Sequence, residues 1–145
     1  MSTPTPPFLS REYRIEWGQC DPAGIVFAPR YMDMFAESSV LLFEAAGLPK
    51  KRDMLREMGV AGFPLVDLSA RFLKPASYGD VVTIEADAPV FGNSSFTIAH
   101  RIRLGDALCV EGTEKRVWTI REKDGSGPLK AARVPDDVRA RFASG

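Results

Sequence analysis

The sequence predicts an α+β fold in which one antiparallel sheet wraps around a single long helix. Three observations carry this. Only the segment from Pro29 to Ala46 combines helical spacing with apolar character over a length worth burying. From Pro64 onward the apolar period changes to two and is held through four runs. Short turn signals separate those runs, so consecutive strands must be antiparallel. A sheet with one apolar helix buries both by curling round the helix. The free face or edge left over needs cover, which points to an oligomer.

Residues 1–10 (MSTPTPPFLS) read as a loose Pro-rich arm ahead of a domain spanning 11–145. Tyr13, Ile15 and Trp17 alternate with Arg14 and Glu16, the pattern of a half-buried strand. Gly18 to Ala28 reads as a loop centred on Asp21-Pro22-Ala23-Gly24. In the helix, Pro29 suits the first turn, where a missing N–H costs nothing. Met32, Phe35, Ser39, Leu42, Phe43 and Ala46 form its apolar stripe, and Val40 and Leu41 widen it. Gly47 ends it as a left-handed cap, with Pro49 beyond. A short charged helix, Lys50 to Met58, stops at Gly59 in the same way.

The strands then follow. Val66, Leu68, Ala70 and Phe72 alternate, then Val82, Ile84, Ala86 and Ala88, then Phe96, Ile98, His100, Ile102 and Leu104. The fourth run is long, Ala107 to Arg121, with a bulge expected at Gly112. Pro135 to Ala143 reads as a short terminal helix. No internal repeat or interdomain linker interrupts this order.

Composition narrows the function. The chain has 145 residues, 45% hydrophobic and 26% charged, as expected of one soluble domain. Lys plus Arg and Asp plus Glu are 19 each, so the basic excess usual in nucleic-acid or membrane binding is missing. No apolar run approaches the roughly 18 residues of a spanning helix, and the N-terminus has no signal-peptide core. Cys20 and Cys109 make no disulfide framework, and a single histidine leaves no zinc pattern. A cytoplasmic protein without metal or cofactor is expected.

The single histidine, His100, shares the parity of Phe96 and Ile98 and so faces the apolar side of its strand. There a hydrogen-bonded structural role is expected, which weakens any nucleophile–histidine mechanism. No Gly-rich phosphate loop appears. Carboxylate chemistry remains, and Asp21 is its candidate. Asp at i, Pro at i+1 and Gly at i+3 are sufficient for a type I turn with no further role. Yet the loop feeds the N-terminus of the enclosed helix, where free N–H groups and the positive dipole end can hold an oxyanion beside a carboxylate.

At this loop the sequence resembles the hotdog-fold thioesterases of the 4-hydroxybenzoyl-CoA thioesterase group. The resemblance covers about residues 11–121. It is carried by Asp21-Pro22-Ala23-Gly24-Ile25-Val26 with Pro29 and Tyr31, by Phe72-Leu73-Lys74-Pro75-Ala76-Ser77-Tyr78-Gly79-Asp80, and by Ser95-Phe96 with His100. It implies an acyl-CoA thioester hydrolase in which Asp21 attacks the carbonyl or activates water, and the backbone N–H at Ala28 stabilises the oxyanion. It also implies a homodimer or a dimer-of-dimers tetramer. Phe27, Tyr31 and Phe63 are the expected acyl-pocket residues.

The chain departs from the group's pattern in several places. Ala28 stands where a Tyr or His is common, and Gln19 where an acidic residue is. Gly92-Asn93-Ser94 replaces a basic stretch that would meet CoA phosphates, which leaves Arg101, Arg103, Lys115 and Arg116 as candidates for that task. Ala36 and Phe63 replace polar pocket residues, so an aryl or medium-chain acyl group is expected rather than 4-hydroxybenzoyl. Glu37 is expected as a surface or interface charge, Cys20 as structural, and Ser38 and Ser39 as small packing surface. The alternative reading is a non-catalytic acyl-binding or protein-interaction module.

Overall fold

The computed structural model describes residues 5–143. Residues 1–4, part of the expected arm, and the last two residues of the expected domain lie outside the described residues. In chain order, β1 (Leu9–Arg14) leads through a 3-10 turn (Trp17–Gln19) to α1 (Ala28–Ala45) and α2 (Lys51–Met58). There follow β2 (Val60–Gly62), β3 (Leu65–Phe72), β4 (Val81–Ala86), β5 (Val90–Phe91), β6 (Ser95–Leu104), β7 (Ala107–Val117), β8 (Thr119–Ile120), β9 (Lys130–Ala131) and α3 (Asp136–Ala143).

The main sheet runs β1-β4-β6-β7-β3, with β5 added against β6, and every pairing is antiparallel. One face of it holds α1. The helix buries Tyr31, Met34, Phe35, Ser38, Ser39, Leu42 and Phe43. That face is turned slightly from the expected stripe, because both serines face the sheet and Met32 is only half-buried. Gly47 has φ +91°, and the Leu48 N–H reaches back to the Phe43 carbonyl at 3.1 Å, which closes the helix end. Gly59, at φ +73°, closes α2 as the sequence led us to expect.

Two apolar clusters lie along the helix. One gathers Phe43, Phe63, Phe96, Trp118 and Phe142 around its C-terminal half. The other gathers Ile15, Tyr31, Phe35, Ile84, Ile102 and Val110 around its N-terminal half.

Three expectations change. The first strand starts at Leu9, inside the expected arm, and ends at Arg14, so Trp17 sits in the 3-10 turn with 64% of its surface exposed. The start was hidden because one of its inward positions is Arg11, whose guanidinium donates to Ser38 Oγ and to the Met34 carbonyl. The run Ala107 to Arg121 is two strands. It breaks at Trp118, whose N–H bonds the Ser94 carbonyl, and β8 then joins a separate sheet of order β2-β8-β9. Gly112 is not a bulge: it pairs in register with Ala70 on one side and His100 on the other. The irregularity of β7 falls instead between the pairs Ile102–Val110 and Arg103–Leu108.

Packing explains the glycine. A Cβ at position 112 would lie 2.6 Å from the Phe35 ring and 2.9 Å from the Ser69 carbonyl. Gly112→Ala is therefore expected to lower stability by about 1–3 kcal/mol in urea unfolding. An unchanged midpoint would show that Phe35 can move aside.

Candidate active site

Residues 19–27 form a small hairpin. Cys20 bridges Val26, the Asp21 N–H bonds the Ile25 carbonyl (2.9 Å), and the Phe27 N–H bonds the Gln19 carbonyl (2.9 Å). At the tip, the Gly24 N–H bonds the Asp21 carbonyl at 2.9 Å, the expected type I turn. Gly24 follows with φ +82°, a conformation that favours glycine. The loop is tied to the β3–β4 connection by the Ile25–Ser77 bridge and by Val26 N–H to the Ala76 carbonyl (2.9 Å).

This backbone fixes Asp21. One carboxylate oxygen, Oδ1, accepts the Ala23 N–H at 2.8 Å. The other makes no hydrogen bond among the described residues, and the residue is half-exposed. A carboxylate held by one oxygen with the second free is positioned to act as a base or nucleophile.

The hairpin delivers the chain into α1, with Phe27 as N-cap. Pro29 has no N–H, and the Arg30 N–H is taken by the Phe27 carbonyl at 2.8 Å. The Ala28 N–H makes no hydrogen bond among the described residues. It is an orphan donor of the first turn at the positive end of the helix.

Ala28 lines an apolar cavity of about 320 Å³ with Val26, Tyr31, Phe72, Leu73 and Lys74. Tyr31 packs against Phe72, ring centroids 6.0 Å apart, and its hydroxyl oxygen accepts the Ala76 N–H at 3.2 Å. Burial raises its phenol above the ordinary value, and the Ala76 hydrogen bond only partly opposes this.

Of the expected pocket residues, only Tyr31 lines this cavity. Phe27 is half-exposed at the N-cap, outside the lining. Phe63 is withdrawn into the other core cluster, 4.7 Å from the Phe43 ring and 5.5 Å from the Trp118 ring, and does not line the cavity. Phe72, Leu73 and Lys74 belong to a segment that carries the resemblance, but nothing local marks them as cavity lining, because beyond the end of β3 strand parity gives no direction.

His100 faces inward, as its parity required, but it belongs to a buried polar cluster rather than to the Asp21 loop. Its ring stacks on Phe35 at 4.7 Å, and Nε2 donates to Glu114 Oε1 at 2.9 Å. Ser39 also donates to that oxygen, and Arg116 donates to Oε2 at 2.7 Å. Burial alone would raise the Glu114 carboxyl, but the hydrogen bonds from His100, Arg116 and Ser39 outweigh it and hold it down to about 2. Ser38 and Ser39 are thus polar pins between helix and sheet, not merely small surface. The sequence signal for Glu114 is its inward parity with Val110 and Gly112, a charge on an apolar face.

The other candidates stand apart. Glu37 is exposed, 3.7 Å from Arg11. The Cys20 thiol is free and half-buried. Among the described residues, no group of three His, Cys, Asp or Glu is arranged to hold a metal ion, and no helix is long and apolar enough to cross a membrane.

A sheet curled around one helix, with an anchored carboxylate on the hairpin that leads to the free amide at the helix mouth, defines a hotdog-fold protein of the thioesterase kind. The model of the thioesterase-like superfamily matches residues 15–142, and the chain belongs to that superfamily. It is 37% identical over 134 residues to the 4-hydroxybenzoyl-CoA thioesterase of Pseudomonas sp. (strain CBS-3), covering 89% of this chain and 93% of that one. The solved structure of 4-hydroxybenzoyl CoA thioesterase from that strain superimposes with TM-score 0.82 at 34% identity, covering 92% and 97% of the two chains. A gentisyl-coenzyme A thioesterase structure gives TM-score 0.79 at 27% identity, covering 93% and 100%.

The buried cluster makes a pH prediction. Glu114 falls from an ordinary 4.5 to about 2 in the folded protein, so its contribution to stability is complete above pH 4.5 and is lost as the pH drops toward 2. Glu114→Gln is expected to cost about 3 kcal/mol at neutral pH and to flatten the stability curve across that acidic window. Chemical denaturation at a series of pH values measures both, and parallel curves for the two proteins would remove Glu114 from the acid response.

Proposed function

We propose that this protein hydrolyses an acyl-CoA thioester to the free acid and CoA, with Asp21 as the catalytic carboxylate. The observation that carries this is the free Asp21 oxygen on a rigid hairpin leading to the unpaired Ala28 N–H at the mouth of an apolar cavity. The names of its thioesterase relatives support the same reaction.

The thioester carbonyl enters the cavity with its oxygen toward Ala28. The Asp21 carboxylate acts on the carbonyl carbon, either by taking a proton from the attacking water or directly, in which case loss of the thiolate leaves an acyl–aspartyl anhydride that a water then hydrolyses to the free acid. The negative charge that gathers on the oxygen is held by the Ala28 N–H and the helix end, an effect typically worth about 10²–10³-fold per donor. Collapse breaks the C–S bond and expels the CoA thiolate, which needs little help from an acid. An apolar lining with Tyr31 and Phe72 suits an aryl or medium-chain acyl group. Two unpaired thiols agree with a cytoplasmic address.

The working unit of the proposal is a homodimer, itself able to pair into a tetramer. β3 is an edge strand of the sheet, and it exposes Leu65, Val66, Leu68 and Phe72. An exposed apolar edge that invites strand pairing is covered by a second copy. Because Phe72 and Leu73 also wall the cavity, that copy would close the site.

Asp21→Asn is expected to cut kcat at least about 10²-fold on aryl- and medium-chain acyl-CoA, read as thiol release, with an unchanged melting temperature. Full activity in the variant would exclude Asp21. No turnover on a broad panel, together with tight CoA-ester binding, would instead favour a non-catalytic acyl-binding protein. Leu68→Lys should shift the mass in solution toward the monomer and lower activity with it. A fully active monomer would reject the dimeric site.

A further inference from the structure

The cations that the sequence offered for the CoA phosphates are mostly occupied. Arg101 is held by Asp87 (2.6 and 3.1 Å) and by Glu85 (3.1 Å). Arg103 is held by the same Glu85 at 3.0 Å. Arg116 is spent on Glu114 and on the Phe63 carbonyl, each at 2.7 Å. Taking any of these three for a ligand would uncover a carboxylate or a carbonyl and cost part of the phosphate interaction; the fourth, Lys115, is exposed and does not line the cavity.

Lys74 is placed differently. It is exposed, and it forms no ion pair and no side-chain hydrogen bond among the described residues. It is the one charged residue lining the cavity that Ala28 and Tyr31 share. Its backbone is fixed: the N–H groups of Leu73 and Lys74 both bond the Cys109 carbonyl, at 2.8 and 3.2 Å, and Pro75 restricts it to an extended conformation. The cavity also has a direction. Val26 and Tyr31 are buried at its floor, whereas Lys74 stands at the solvent side. An acyl chain goes to the apolar floor, and the CoA portion leaves past the rim.

We propose that Lys74 is a substrate-recognition residue that takes a phosphate of the CoA portion as it leaves the cavity. This rests on the thioesterase reading above. An ammonium on a flexible stem is a compact point charge, suited to an anion that stays hydrated. Such a contact is made alike in ground state and transition state, so it acts on KM and leaves kcat alone.

The test compares one acyl group carried on CoA and on pantetheine, which lacks the nucleotide phosphates. Wild-type turnover of either ester secures the underlying reaction, and turnover of neither would remove the reading on which this proposal stands. Lys74→Ala should raise KM for the CoA ester about fivefold, leave kcat unchanged and leave the pantetheine ester unaffected. Lys74→Arg should keep most of the CoA preference. Added salt should raise the wild-type KM for the CoA ester and have less effect on Lys74→Ala. Circular dichroism melting checks that the variants are folded. An equal KM rise on both esters would mean that Lys74 serves the acyl or pantetheine part, and unchanged values on both would mean that it serves neither. Either result overturns the proposal while the hydrolase reading survives.

Discussion

Glu114 accepts hydrogen bonds from His100, Ser39 and Arg116 in the middle of the molecule, and the helix is set against the sheet through them. A buried carboxylate is tolerable only when its oxygens are satisfied, so these partners must meet at one point. Ser39 comes from α1, His100 from β6, and Glu114 and Arg116 from β7. Arg11 of β1 adds a second tie to α1 through Ser38 and the Met34 carbonyl. Apolar packing gives the helix its reason to be enclosed. The polar ties choose the rotation and depth at which it sits, which apolar contacts alone leave loosely specified.

Between these ties, Phe35 lies over Gly112 and stacks on His100. The missing side chain at 112 lets helix and sheet approach closely there. With the helix fixed, its first turn is fixed too. Ala28 then presents an amide that neither helix nor loop satisfies, and Pro29 removes the competing donor beside it. The hairpin of residues 19–27 is held at its base by backbone bonds and at its tip by the Asp21 carboxylate, so the side chain proposed for the chemistry also shapes its own loop. This leaves little conformational freedom to lose when a substrate arrives.

The remaining charges divide by the sheet face they occupy. Asp87, Arg101, Glu85 and Arg103 form a ladder of ion pairs across β4 and β6 on the face turned away from α1. Arg71 and Glu111 pair across β3 and β7 on the same face. The Arg71–Glu111 pair is exposed and adds little to stability, whereas Arg101, largely buried, grips both oxygens of Asp87 and shares Glu85 with Arg103 in a network. The edge strand β3 is the exception, because its apolar residues are open to solvent in a single chain.

The sequence determined the main elements and their order. The 3.6-residue period of α1, the left-handed glycines at its end and after α2, the alternation of β4 and β6, and the Asp-Pro-Ala-Gly turn are all set by neighbours a few residues apart. Periodicity even put His100 on the inner face. What it could not convey were meetings between residues distant along the chain. Arg11 and Glu114 take no role from their neighbours in sequence until Ser38 and His100 are brought to them, and Gly112 reads as a bulge until Phe35 is laid across it. Phe63 read as a pocket residue until Phe43 and Trp118 enclosed it. The tertiary structure alone decided these, because burial and partnership depend on which surfaces face one another in space, and local propensity contains no term for that.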